Sequence, residues 1–370
     1  MSALDARSFT EATARITSWK HPLLISHDKP DGDALGALVA MRSLLRSRGA
    51  EVVALLFDVI PDRYAVFHRY EPMRILGLDI QTTDLVDIDS VLVLDTCTYG
   101  QVDPIADWLR GSGVPKLAID HHVTRDDLAD YYLIDESAAA TCLILCDWAK
   151  AVNWPITAEA LDTLFVGMAM DTGWFRHSNT DRRVLEAAAD LVARGVDPHE
   201  LYRELYQCET PARVRLAGAA LGTLELLLED RLAVMALSAD TVTGAGATPA
   251  DTEDIVNEPL RIGSVVVSVL LVEAADGVIR ASFRSKPPAE PRAEWNPDLS
   301  GARADALLPH PLRSEGRGTG LDVAKVAQAF GGGGHTRAAG ARISGTLPAV
   351  RRNIIDYLER AFLESSHPDA

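Results

Sequence analysis

The residues best able to do chemistry sit in short clusters that follow apolar runs. In His27-Asp28-Lys29-Pro30-Asp31-Gly32-Asp33, one imidazole and two carboxylates, those of His27, Asp31 and Asp33, share a turning stretch that begins as Leu23-Leu24-Ile25 ends. Pro30 and Gly32 permit the turn, and Gly36 lets the helix that follows pack closely. Mixed imidazole and carboxylate donors suit a divalent first-row ion such as Mn²⁺ better than a structural zinc site, which favours cysteine. Taken alone, the stretch also reads as a polar turn. Three further segments repeat the placement. Asp95 follows the apolar run 91–94, Asp120-His121-His122 follows 117–119, and Asp171-Thr172-Gly173 follows 164–170. Ligands of open α/β sheets gather at the carboxyl ends of strands. Four distant segments delivering acids or histidines after apolar runs therefore describe one site better than four solvated turns.

Such clusters need a scaffold, and the intervening sequence supplies one. Leu23-Leu24-Ile25, Val52-Val53-Ala54-Leu55-Leu56, 91–94 and 116–119 read as buried strands. Residues 35–47 and 61–70 between them read as helices, with Pro61 suited to a helix start. This alternation predicts a doubly wound, largely parallel sheet with both faces covered. From residue 137 to 194 the pattern is helical, and Gly195-Val196-Asp197-Pro198 marks a break. Strand signals at 232–237, 264–272 and 278–283 predict a second, smaller α/β domain. The division expected is a metal-binding domain at 1–197, a helical linker at 198–212 and a substrate-binding domain at 213–370. Residues 286–320 hold six of the chain's 19 prolines and read as a long surface insertion.

The clusters at His27, Asp95, Asp120 and Asp171 resemble the four ordered motifs of the DHH phosphoesterase superfamily. Gly331-Gly332-Gly333-Gly334-His335 with Ala338-Ala339-Gly340 resembles the substrate-binding motif of the DHH-associated domain. The layout is most similar to the branch that combines oligoribonuclease (nano-RNase) with 3′-phosphoadenosine 5′-phosphate (pAp) phosphatase activity. The resemblance implies two divalent ions, Mn²⁺ foremost. His27 and Asp31 would hold the first, Asp33, His121 and Asp171 the second, and Asp95 would bridge them. A hydroxide activated by the pair would attack phosphorus, with His122 facing the substrate and Asp120 orienting a histidine. In the second domain Arg284, Ser285, Gly332, Gly333, Gly334 and His335 would contact substrate, and the active site would lie in the cleft between domains. The implied activity is hydrolysis of very short oligoribonucleotides to 5′-mononucleotides and of pAp to AMP. A phosphodiesterase for cyclic or linear dinucleotides is the alternative, and a non-catalytic nucleotide-binding regulator the rival from another class. The sequence departs from the family pattern in Thr96-Cys97-Thr98 after Asp95, in Gly36-Ala37 where Gly-Ser is usual, and in the 286–320 insertion.

Composition bounds these readings. The 370 residues include 36 Lys and Arg against 53 Asp and Glu, a net charge of −17 that argues against stable binding to long nucleic acid. With 47% hydrophobic residues the chain can bury a core and is not of the disordered class. The acids concentrate, 31 of the 53 lying in the first 200 residues. If four of those aspartates share one site, two divalent cations would balance them; without metal they would repel and their pKa values would rise. Four cysteines make no disulfide framework, so a reducing cytoplasm is the expected home. No apolar run reaches the ~18 residues of a membrane span. The partners expected are short RNA and pAp as substrates and no membrane, with a homodimer left open.

Overall fold

The computed structural model describes residues 4–70, 72–252, 254–274, 277–286 and 321–366. The 286–320 insertion, apart from Lys286, lies outside the described residues. The chain forms two compact units, Met1–Cys208 and Glu209–Ala370.

The first unit is built on six strands: β1 (Pro22–Ile25), β2 (Val53–Leu56), β3 (Arg74–Ile75), β4 (Ser90–Leu94), β5 (Lys116–Asp120) and β6 (Tyr131–Ile134). Their order is β3-β2-β1-β4-β5-β6, and every neighbouring pair is parallel. The helices are α1 (Ala6–Ile16), α2 (Gly32–Arg46), α3 (Ala106–Gly111), α4 (Thr141–Ala151), α5 (Ala158–Asp171), α6 (Arg182–Ala193) and α7 (Pro198–Tyr206). β1 and β4 are buried along their whole length, as strands covered on both faces must be, which is why residues 23–25 and 91–94 are continuously apolar. One face packs on α1, α2, α4 and α5, the other on α3 and its flanking turns. The order reverses between β1 and β4, so the carboxyl ends of these two strands open the crevice where doubly wound folds bind ligands. His27 and Asp95 stand there.

Two sequence expectations are refined. Residues 61–70 form a 3₁₀ helix, Asp62–Arg69, with Pro61 before its first residue. The pairing also takes in β6, whose Tyr131, Tyr132 and Ile134 are only partly buried and therefore lack the apolar run of a central strand.

Around the site the helices approach closely. A Cβ on Gly36 would lie 2.4 Å from the carbonyl oxygen of Thr163, and one on Gly167 would lie 2.3 Å from Cys142 Sγ and 2.6 Å from Asp33 Oδ1. Hydrogen is thus the side chain that lets α5 lie against α4 and the Asp33 carboxylate. Gly167→Ala is expected to cost about 1–3 kcal/mol, because overpacking forces buried groups apart. Urea denaturation of the metal-free protein measures this; an unchanged midpoint would contradict the packing account.

The second unit holds α8 (Pro211–Gly222), β7 (Glu225–Leu227), β8 (Leu232–Leu237), α9 (Ala239–Gly244), β9 (Val267–Glu273), β10 (Val278–Ser285), α10 (Val323–Ala329), β11 (Gly333–His335), β12 (Ala338–Ser344) and α11 (Leu347–Ser366). Its strand order is β11-β12-β10-β9-β8-β7, antiparallel except for β8 with β9. α10 and α11 cover one face; α8 and α9 cover the β8–β9 part of the other. Along β10, Ile279, Ala281 and Phe283 point into the core while Arg280, Ser282 and Arg284 alternate outward.

Candidate metal centre

The loop after β1 is shaped by helix capping. Asp31 is the N-cap of α2, its Oδ1 accepting from the backbone N–H groups of Asp33 (2.9 Å) and Ala34 (3.1 Å). That satisfies two orphan donors of the helix and leaves Oδ2 for another partner. Asp33, fully buried, faces the N-terminus of α4, with Oδ2 accepting from Thr141 N–H (2.6 Å) and Oδ1 from Cys142 N–H (2.9 Å). Asp95 directly follows β4 in the left-handed region (φ 63°), a conformation Asp tolerates better than most side chains. Its Oδ1 accepts a hydrogen bond from the Thr141 hydroxyl at 2.9 Å.

The ligand atoms of His27, Asp31 and Asp95 lie within 4.8 Å of one another, and so do those of Asp33, His121 and Asp171. Asp95 touches both groups. Its Oδ2 is 3.5 Å from His27 Nε2 and its Oδ1 is 3.5 Å from His121 Nε2. His121 donates from Nδ1 to the carbonyl of Ala138 (3.2 Å), the tautomer assigned from that bond. Its Nε2 lone pair then faces Asp171 Oδ2 (3.2 Å) and Asp95 Oδ1 (3.5 Å), buried and without a hydrogen bond. An acceptor facing acceptors needs a positive charge between them. A divalent cation held by these N and O donors meets that need, and so does a proton on Nε2; the residues present fit a metal.

The electrostatics follow from the same crowding. Burial, then the charges of Asp33, Asp31, Asp171 and Asp120, hold the Asp95 carboxyl well above the ordinary range. Burial raises Asp33 as well, and burial followed by Asp33 pushes Asp171 up to about 7. For His121 burial works against the charged ring, but the neighbouring Asp171, with Asp33 and Asp120, outweighs it and brings the pKa to about 9. Burial lowers His27.

Asp120 and His122 adjoin that crowd: His122 Nδ1 is 3.9 Å from Asp95 Oδ1, and the donor atoms of Asp95, His121 and His122 also lie within 4.8 Å of one another. Asp120 Oδ1 accepts from the backbone N–H of His121 (2.8 Å) and His122 (3.1 Å) and from His122 Nδ1 (2.7 Å). Burial pushes this carboxyl up, yet its bonds to His122 outweigh burial and bring it below the ordinary value. The same hydrogen bond raises His122, whose ring is half-exposed. Asp120 therefore orients His122, a proton donor of adjustable charge.

In the second unit, Arg284 pairs across the sheet with Ala338, and Ala338 with His335, so the three side chains share the outward face. The Arg284 guanidinium donates to Phe283 O (3.1 Å), and Ser285 is buried one position on. Within the glycine run of the resembled motif, Gly333–His335 is an edge strand on β12. Gly334 is required there: its φ is +139°, and a Cβ would fall 2.6 Å from the carbonyl oxygen of Ala338. Arg337 donates to the carbonyl of Lys286 (3.0 Å), a tie between β10 and the β11–β12 turn.

Sequence reasoning passed over Thr141, Asn179 and Arg183. Asn179 Nδ2 donates to the carbonyls of Asp171 (3.1 Å) and Ala139 (3.3 Å). Arg183 pairs with buried Asp135 (2.8 Å) and with Asp147 (2.5 Å). A threonine opening an apolar helix was the one available signal, and it points to capping as readily as to a site.

Residues 22–168 match the DHH family, N-terminal domain. The first unit is a DHH-family domain and the chain a phosphoesterase of that kind. Among curated relatives, the bifunctional oligoribonuclease and PAP phosphatase NrnA of Bacillus subtilis is 27% identical over 75% of this chain and 86% of its own length. The protein of the same name from Thermus thermophilus is 29% identical over 87% of this chain and 84% of its own. In fold, an exopolyphosphatase-related protein from Bacteroides fragilis superposes with a TM-score of 0.78 over 98% of both chains at 21% identity. No described helix is long and apolar enough to cross a membrane.

Proposed function

We propose that this phosphoesterase hydrolyses very short oligoribonucleotides to 5′-mononucleotides and dephosphorylates pAp to AMP, with two divalent ions, Mn²⁺ foremost. The observation that carries the reading is Asp95, one buried carboxylate touching both ligand groups. The substrates are supported by the names of the Bacillus and Thermus relatives. His27, Asp31 and Asp95 would hold one ion, and Asp33, His121 and Asp171, with Asp95, the other. Divalent ions bound there supply Lewis acidity toward a phosphoryl oxygen and make water acidic enough to act as a nucleophile near neutral pH. Arg284 and His335 offer phosphate-binding donors from one sheet face, with Ser285 and the Gly332–Gly333–Gly334 backbone beside them. The division into catalytic, linking and substrate-binding parts at 1–197, 198–212 and 213–370 belongs to the same proposal.

His122 is the acid of this scheme. Asp120 accepts from Nδ1–H and favours the charged ring, in which Nε2 also carries a proton, the one a leaving ribose oxygen needs. His122→Asn is expected to lower kcat about 10²–10⁴-fold, the usual contribution of general acid catalysis, with Mn²⁺ affinity little changed. Steady-state kinetics with a metal titration measure both; a variant as fast as the parent removes His122 from the chemistry.

The reading is tested by kcat/KM for pApA, pAp, cyclic di-AMP and a long single-stranded RNA with Mn²⁺. Turnover of pApA and pAp with poor turnover of the long RNA supports it. Preference for cyclic di-AMP or the long RNA overturns the substrate assignment.

A further inference from the structure

We propose that Thr141 is a positioning residue that sets the shared Asp95 carboxylate and ties the two ligand groups together, an inference that rests on the metal-centre reading above. Thr141 is fully buried and meets both groups at once. Its backbone N–H donates to Asp33 Oδ2 at 2.6 Å, and its hydroxyl donates to Asp95 Oδ1 at 2.9 Å. Asp33 belongs to one group, and Asp95 joins the other.

The neighbours of Thr141 extend the same contact. Cys142 N–H holds the second oxygen of Asp33 at 2.9 Å, and the Ala138 carbonyl takes the Nδ1 proton of His121 at 3.2 Å. The Ala139 carbonyl binds Asn179, which also binds the backbone carbonyl of Asp171. One short piece of chain thus reaches Asp33, Asp95 and His121 directly and the backbone of Asp171 through one side chain. That piece is itself pinned. Asp135, with no exposed surface, accepts from Ser137 N–H (3.1 Å) and Oγ (2.5 Å) and pairs with Arg183.

The hydroxyl has a specific task. A carboxylate turns readily about its last bond, and Asp95 must offer Oδ2 toward His27 and Oδ1 toward His121 at the same time. The donor on Oδ1 fixes that rotation while leaving lone pairs on both oxygens for cations. Valine has nearly the shape of threonine and keeps the backbone N–H to Asp33, so Thr141→Val removes the hydroxyl bond and little else.

The test is calorimetric titration of the metal-free protein with Mn²⁺, alongside kcat and KM for pAp. Outer-shell partners typically contribute 10–100-fold to metal affinity, so Thr141→Val is expected to weaken Mn²⁺ by about that factor and Thr141→Ser to restore most of it. kcat should fall at limiting Mn²⁺ while KM for pAp changes little. A Thr141→Val isotherm matching the parent, or Thr141→Ser as weak as Thr141→Val, overturns the positioning role. If the parent binds no Mn²⁺, the metal-centre reading itself fails. Should Thr141→Val not fold, Thr141→Ala against Thr141→Ser makes the same comparison without a methyl to accommodate.

Discussion

Asp95→Asn is expected to reduce hydrolysis of pAp by about 10³-fold or more while leaving the metal-free protein at least as stable as its parent. The activity loss follows from position. Asp95 is the carboxylate that both ligand groups touch, so its charge would serve both ions. Metal ions supply several kcal/mol of transition-state stabilisation, and each 1.36 kcal/mol lost is tenfold in rate, so about 4 kcal/mol gives the factor stated. The stability gain follows from burial. Asp95 is 1% exposed, its carboxyl held well above the ordinary range by burial and then by Asp33, Asp31 and Asp171. Without a cation its ionised form is a liability that asparagine removes, and an amide oxygen can still accept from Thr141. Thermal melting with EDTA and with Mn²⁺ should show an equal or higher melting temperature without metal and a smaller rise on adding it. Hydrolysis within tenfold of the parent would sink the shared-ligand account.

The second large effect is the stability gained from Mn²⁺, which should widen from pH 7 to pH 9. His121 is raised to about 9 in the fold, so its contribution is fully present below the unfolded value near 6.5 and is lost as pH climbs through 9. On the scale of 1.36 kcal/mol per unit, that loss is about 3 kcal/mol. His122, also raised, is lost in the same direction, although its half-exposed ring makes the effect smaller. Asp171, raised to about 7, penalises the folded state once ionised, a cost nearly complete by pH 8. His27 is lowered and opposes these groups only below about pH 7, where the unfolded imidazole takes a proton. Carboxyls that sit low in the fold, such as Asp120, are ionised in both states across this window and drop out. The metal-free protein should therefore lose stability from pH 7 to 9. Mn²⁺ competes with protons for His121 and Asp171, so its binding strengthens over the same range. Melting temperatures at pH 7, 8 and 9, with EDTA or Mn²⁺, give the difference directly. A gap that narrows with pH would show that these groups are not the ones that meet the metal.

Much of the site was legible before any coordinates because strand ends are local features. A buried parallel strand must be continuously apolar, so the residue after it is a polar residue at the sheet's carboxyl edge. That reasoning places His27, Asp95 and Asp120-His121-His122 on one edge without tertiary information. Asp171 was found by the same pattern for a different reason. The apolar run 164–170 belongs to helix α5, buried from Thr163 to Ala169, and the acid marks the helix end. Periodicity cannot tell a short buried strand from a buried helix segment. Gly333–His335 went the other way, since four glycines carry no strand signal and only pairing with β12 makes them one.

The sequence by itself determined the chemistry available: imidazoles and carboxylates in number, spaced at the ends of apolar runs, with glycines to let chain pass close by. Those properties depend on near neighbours and on the periodicity of burial, which a linear reading can follow. Only the tertiary structure decided how the donors are shared. Asp95 turns one oxygen toward His27 and the other toward His121, His122 takes its bearing from Asp120, and Thr141 holds carboxylates 46 and 108 positions away. The direction of a buried carboxylate is set by whichever donors the packing of α2, α4 and α5 brings within about 3 Å, and that packing exists only when the whole unit has folded.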